Sequence, residues 1–437
     1  MNSNVDLGGT PVAARRTAVP VRYRILGLLF VLSFVNYFLR NNFSVAQTTI
    51  QQEFHFSHAE IGWILWSFNV AYTLFNIPGG VFGDVFGSRR ALTIIAISWG
   101  VLTAFTGFLP GLMAASAGGA LIAFCIVRFF MGVANAPMFP VAAGAFANWF
   151  PPAGWALPNA VLSSGLTLGQ AALGPIVTVL IVKYGWRESF YILAPVGLIA
   201  GLWWYWYGRD TPAEHKAVTR EELALINAGR TAQTREDTKG GWRKVIVHRD
   251  VLLLSASYFC DNYVFYIFSQ WLFTYLVEER GFTLLESGFL FALPFVTGAV
   301  LAAIGGGVCD ALCKRIGPGW GCRGPAVVGL LLVAVLLLSG AAAPDPYVAV
   351  ALLSLCFGFT QFIEGPFWAA STYVAGPNTA SATGVLNAGG NLAGFLAPAV
   401  GLMLDRFGWY PTLASGSVFA VVGAILWLFV RIQVKAK

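Results

Sequence analysis

Charge is what this chain has least of. Of its 437 residues 11% are Asp, Glu, Lys or Arg, and 57% are hydrophobic. A soluble globular domain carries about 25% charged residues. Histidine is scarcer still: His55, His58, His215 and His248 make up the full set of four, and each falls between apolar runs. No His/Cys/acid group has the spacing of a common metal centre, and no serine-centred elbow or phosphate loop stands out. An enzyme is therefore not expected, nor a cofactor, nor a metal. The six cysteines do not read as a disulfide framework. Cys125, Cys260 and Cys356 lie inside apolar runs. Cys309, Cys313 and Cys322 gather at the end of one such run, on a side where thiols stay reduced, and read as small packing residues.

What the chain has instead is apolar length. Twelve runs reach the ~18 residues needed to cross a ~30 Å hydrocarbon layer as a helix. They fall at about 25–46, 60–82, 90–109, 116–143, 157–180, 188–208, 251–277, 286–312, 324–342, 347–374, 380–403 and 409–431. They are apolar all round, which excludes surface helices, and too long for barrel strands. The expected fold is an all-α membrane protein with twelve transmembrane helices, embedded in the lipid bilayer.

The net charge of +7 raises the possibility of nucleic acid, but its distribution argues against it. With the N-terminus placed inside, 21 Lys and Arg fall in cytoplasmic tails and loops. Four (Lys183, Arg187, Arg280, Arg406) fall outside and two within the membrane. That asymmetry places both termini in the cytoplasm. Arg15, Arg16, Arg22 and Arg24 precede the first span with no short apolar core and small-residue cleavage site, so that span is expected to stay.

The longest polar stretch, 209–249, divides the runs six and six. The expected organisation is a cytoplasmic tail 1–24, a six-helix bundle 25–208, a cytoplasmic linker 209–249 with a short surface helix near Glu221–Ile226, a second bundle 250–431, and a tail 432–437. The halves repeat. Asn36-Tyr37 recurs as Asn262-Tyr263, and Asp84 with Arg89-Arg90 recurs as Asp310 with Lys314-Arg315. Asn135-Ala136-Pro137 matches Glu364-Gly365-Pro366, and Pro175 with Gly185-Trp186 matches Pro398 with Gly408-Trp409. The offsets stay within 223–229 residues. Parallel repeats of this kind are a transporter architecture, with the substrate site near the midplane between the halves.

Arg40 and Arg128 lie inside the first and fourth runs, which carry no acid to neutralise them. A cation at the bilayer centre costs about 2.5–3.5 kcal/mol on insertion scales, so such residues face a watery cavity and serve a purpose. An anionic substrate would satisfy them, because a planar guanidinium binds a carboxylate through two parallel hydrogen bonds. Helical spacing puts Asn36, Tyr37 and Arg40 on one face, Arg128, Gly132 and Asn135 on another. Gln361, Glu364, Trp368 and Ser371 share a third, and Asn387 and Asn391 a fourth. Such faces line a cavity or supply interhelical hydrogen bonds, worth about 0.6–2 kcal/mol per contact.

The run Gly80-Val81-Phe82-Gly83-Asp84-Val85-Phe86-Gly87-Ser88-Arg89-Arg90 resembles the loop between helices two and three of the major facilitator superfamily. It departs at Val85, where an Arg is common. Within that superfamily the chain resembles the anion:cation symporter family, which includes permeases for galactonate and hexuronates. Asn36 through Ala46, Tyr72 with Phe75 through Gly80, Arg128 through Pro140, and Gly365 through Ala369 carry the resemblance. It implies two pseudo-twofold-related six-helix bundles, alternating access, monomeric operation, and import of a small organic anion, such as a sugar acid, with protons (or sodium). Location in a bacterial inner (plasma) membrane is the accompanying expectation. Arg40 and Arg128 match positions where the family places its anion-binding or gating arginines, and an anion-binding role is the one expected here. Tyr37, Tyr72, Asn387 and Asn391 would contact a hydroxylated substrate, and Trp368 would wall it. Asp84, Arg89, Arg90, Asp310 and Arg315 would gate.

Two departures bear on coupling. Proton-coupled members carry an Asp immediately before the first-helix arginine and a Glu seven residues after the fourth-helix one. Here those positions hold Leu39 and Asn135. The second half holds two intramembrane acids, Asp261 and Glu364, and Glu364 is the repeat-mate of Asn135. The expectation is that proton coupling has moved to them. Uncoupled transport or exchange is the alternative, with drug antiport and membrane sensing further behind.

Overall fold

The computed structural model describes residues 19–113, 117–151, 156–227, 247–375 and 379–432. Arg15, Arg16, linker residues 228–246 and residues 433–437 lie outside them. Among the described residues there are helices and no strands. The first half holds α1 (Val21–Phe54), α2 (His58–Leu112), α3 (Ala117–Asn135), α4 (Met138–Trp149), α5 (Ala156–Tyr184) and α6 (Trp186–Tyr207). The short α7 (Arg220–Asn227) lies in the linker. The second half holds α8 (Arg249–Glu278), α9 (Leu284–Ile316), α10 (Pro318–Ala342), α11 (Pro346–Phe362), α12 (Glu364–Ala375), α13 (Thr379–Leu392), α14 (Ala397–Phe407) and α15 (Trp409–Phe429).

These make twelve passes. α2 is two passes joined at Gly87, whose backbone (φ 73°, ψ 158°) leaves the helical region. α3 with α4, α11 with α12, and α13 with α14 are broken single passes. Eleven segments are long and apolar enough to cross a membrane by composition. The first pass of α2 is helical but more polar, carrying Ser67, Asn69, Thr73 and Asn76. The halves repeat in backbone as well as sequence. Gly87 and Gly317 (φ 84°, ψ 160°) turn alike, as do Gly185 (φ 98°, ψ 162°) and Gly408 (φ 77°, ψ −171°). A left-handed φ is open to glycine without a Cβ clash.

Two girdles of exposed aromatics mark the membrane boundaries. Trp203, Tyr205, Trp206 and Trp320 lie toward the face that carries the termini; Trp63, Tyr184, Tyr347 and Tyr410 lie toward the far face. Amphipathic rings collect at headgroup level in this way. On the terminal face, Glu222 of α7 accepts hydrogen bonds from the backbone N–H groups of Val21 (3.2 Å) and Arg22 (3.0 Å), capping α1.

The halves pack tightly at the far face. Gly174 of α5 meets Gly288 of α9, and Gly62 of α2 meets Ala397 and Pro398, each so closely that a Cβ would collide with backbone. Small residues permit this approach. Hydropathy ends the first span at residue 46, yet α1 runs to Phe54. The extension is stable because Gln47 donates to the Gln270 carbonyl (2.8 Å) and to the Thr274 hydroxyl (2.7 Å) of α8. Asn69 donates to the Gly394 carbonyl at 2.8 Å. His58 ties three elements: Nε2 lies 2.9 Å from Glu278 and Nδ1 2.7 Å from Asp405. These side-chain hydrogen bonds between the halves lie in the far portion. The described contacts close the protein at the far face.

Candidate functional site

The site begins with α1. About four to five turns after its start at Val21, Tyr37 and Arg40 project from one face into the seam between the halves, and α3 brings Arg128 alongside. Both arginines are buried, 6% and 4% exposed. They flank one ring: each guanidinium carbon lies 4.8 Å from the centre of Phe68. Arg40 also lies over Tyr37 (5.1 Å) and Tyr72 (4.5 Å), and Arg128 over Phe43 (5.1 Å). Desolvated cation–π contacts are worth about 2 kcal/mol each, and aromatic faces are the main company these cations keep.

The hydrogen bonding of Arg128 is incomplete. Arg128 Nη1 donates to the backbone carbonyl of Arg40 at 3.1 Å, and its Nε has no partner. No carboxylate forms an ion pair with either arginine among the described residues. A buried cation with unused donors is costly unless an anion completes it.

Both arginines line one cavity, together with Tyr37, Asn41, Ser44, Leu65 and Phe68 from the first half, and Phe265, Tyr266, Ser269 and Gln270 of α8. Its volume is about 10 Å³, room for about one water. In this state the cavity is drawn in around the guanidinium groups.

The remaining expected residues sit around it. Tyr72 packs on Arg40 from α2. Asn391 accepts from the Tyr266 hydroxyl at 3.4 Å, one residue behind the cavity wall. Asn387 is half-buried one turn earlier on α13 and does not line the cavity. Trp368 is partly exposed, and its Nε1 donates to Glu364 at 2.7 Å. Glu364 also accepts from the Tyr258 hydroxyl at 3.0 and 3.2 Å. Asp261 is 1% exposed, with one carboxylate oxygen unpartnered. Neither acid pairs with an arginine. Asn36 donates to Asn135 at 2.6 Å, and Asn135 to the Met131 carbonyl at 2.7 Å, so these two serve each other across α1 and α3.

Of the gating set, Asp84, Arg90, Asp310 and Arg315 are exposed on the terminal face. Arg89 lies over Tyr205 (4.5 Å) and donates to its carbonyl (2.9 Å). Asp210 accepts from the Ser88 hydroxyl and the Arg89 N–H, fastening the Gly87 turn.

Sequence reasoning missed Phe68 and Tyr266. Tyr266 stands 226 residues after Arg40, the offset that relates Asn36 to Asn262, so the repeat carried the signal. Phe68 is one of 35 phenylalanines, and nothing in the sequence sets it apart.

A polytopic helical bundle of two repeated halves, with a cation-lined cavity in the seam between them and closed at one face, fits a membrane transporter. The Major Facilitator Superfamily profile matches residues 29–398, and the chain belongs to that family. It is 32% identical over 419 residues to a probable sulfoacetate transporter of Cupriavidus necator, covering 94% of each chain. It is 29% identical to a D-galactonate transporter of Escherichia coli (95% of this chain, 96% of that one). It is 28% identical to a hexuronate transporter of Bacillus subtilis (92% and 93%). Among solved structures, a bacterial homologue of the human lysosomal transporter Spinster in an inward-facing, occupied conformation superposes with a TM-score of 0.76. That match spans 96% of this chain and 98% of the other at 18% identity, a likeness of fold.

Proposed function

We propose that the protein imports a small organic anion by alternating access, with Arg40 and Arg128 as the anion-binding groups. The observation that carries this reading is two buried guanidinium groups lining one cavity, that of Arg128 with an unpartnered Nε, and no carboxylate paired with either. The relatives named for sulfoacetate, galactonate and hexuronate support a carboxylate or sulfonate of this size. Tyr37, Tyr72 and Tyr266 surround Arg40 and offer hydroxyls to a polyol. The terminal face is the cytoplasmic one and the membrane is the plasma (inner) membrane. Asp84, Arg89, Arg90, Asp310 and Arg315 would gate that face during the transport cycle.

Coupling is assigned to the second half. Leu39 and Asn135 cannot titrate in a useful range, whereas Glu364 and Asp261 can exchange a proton. The second reading is uncoupled transport or exchange, favoured by the two side chains that already anchor Glu364. Uptake into proteoliposomes of labelled sulfoacetate, galactonate and glucuronate separates them. Accumulation driven by an inward proton gradient and abolished in Glu364→Gln is expected. Equilibration unchanged by gradient or substitution would make Glu364 structural.

A further inference from the structure

The second half carries a feature that transport does not use. Cys309 and Cys313 are one turn apart on the last turns of α9, on the same face. Cys322 stands in the first turns of α10, beyond the Gly317 reversal. The three sulfurs converge: Cys309 to Cys313 is 3.9 Å, Cys309 to Cys322 is 3.8 Å, and Cys313 to Cys322 is 3.6 Å. The approach depends on Gly321, where a Cβ would strike the backbone of Cys313.

We propose that Cys309, Cys313 and Cys322 form a three-thiolate site for one soft d10 metal ion, Zn(II) or Cu(I). A zinc–thiolate bond is about 2.3 Å, which sets sulfurs about 3.8 Å apart at three corners of a tetrahedron and about 4.0 Å apart in a trigonal plane. The observed separations, 3.6, 3.8 and 3.9 Å, lie within about 0.2 Å of the tetrahedral value. Soft thiolates select Zn(II) and Cu(I) over hard cations. A packing role asks only for small side chains, which Ala supplies; it does not ask for three sulfurs at one point. Cys309 and Cys322 are buried, while Cys313 is half-buried and gives an ion entry from the terminal face. Lys314, Arg315 and Arg323 close by in the chain offset the charge of three thiolates, against Asp310.

The position gives the site a consequence. In the first half, Asp210 fastens the equivalent Gly87 turn. In the second, the ion would clip α9 to α10 across the Gly317 turn.

The test uses the full-length protein in detergent, stripped with chelator under reducing conditions and titrated separately with Zn(II), Cu(I) and the spectroscopic probe Co(II). One equivalent should bind, with a sulfur-to-metal charge-transfer band for Co(II) and a raised unfolding temperature. Preference for Zn(II), with four-coordinate Co(II) bands, indicates a tetrahedral site completed by solvent; preference for Cu(I) indicates a trigonal one. Cys125→Ser and Cys356→Ser should bind normally, and Cys313→Ser at least tenfold more weakly. Cys313 is the least buried of the three, so its substitution keeps the test readable if the triple serine variant does not fold. Undiminished binding in monodisperse Cys313→Ser, or no stoichiometric binding of any of the ions by the wild type, overturns the proposal.

Discussion

Arg40 and Arg128 were legible because they break a rule: a cation in an apolar run has no cheap explanation. Their partners were less so. Spacing left Asn36 and Asn135 open between cavity lining and interhelical bonding, and the structure pairs them with each other. Spacing gives the face and not the hydrogen-bond partner. Two predictions follow at this scale. Loss of a charge-assisted hydrogen bond costs about 1.5–3 kcal/mol, so Arg128→Gln should weaken anion binding by about 10- to 100-fold, read by isothermal titration. Asn135→Ala should instead lower the unfolding temperature, through loss of about 0.6–2 kcal/mol, and leave anion affinity within a factor of two or so. Equal affinity losses in the two variants would contradict the division between site and scaffold.

Helix number and order were readable from apolar length, and the half-repeat from its constant offset. Helix ends were not. α1 continues beyond its apolar run because Gln47 finds partners on α8, a tertiary compensation that hydropathy cannot register. The close crossing of α5 and α9 was equally hidden, since Gly174 and Gly288 are two of 49 glycines. Overpacking such a contact costs about 1–3 kcal/mol, so Gly174→Val should shift the equilibrium away from far-face closure by about 5- to 150-fold. A cysteine placed at Ser269, in the cavity wall, should then react faster with an impermeant maleimide applied from the far side. Unchanged labelling would remove this crossing from the closing contacts.

At the scale of the whole molecule, the far face is held by a titratable group. His58 of α2 meets Glu278 of α8 and Asp405 of α14, with the rings of Trp271 and Trp409 beside it. Burial pulls its pKa down, but the two carboxylates outweigh burial and the net shift is upward. The sign follows from linkage. A raised imidazole pKa contributes to closure fully below its ordinary value near 6.5 and loses that contribution as pH rises through the elevated value. Far-side labelling of the Ser269→Cys reporter should therefore increase with pH across that window, and His58→Gln should flatten the response. Labelling that falls with pH would contradict the assignment.

The central claim is that two buried arginines make this transporter an anion carrier. Its most direct test is uptake by proteoliposomes of labelled galactonate beside neutral galactose, in the wild type, Arg40→Gln and Arg128→Gln. We predict saturable galactonate or sulfoacetate uptake, no galactose uptake, and at least a tenfold loss in either variant. Uptake of the neutral sugar, or anion uptake indifferent to both substitutions, would contradict it.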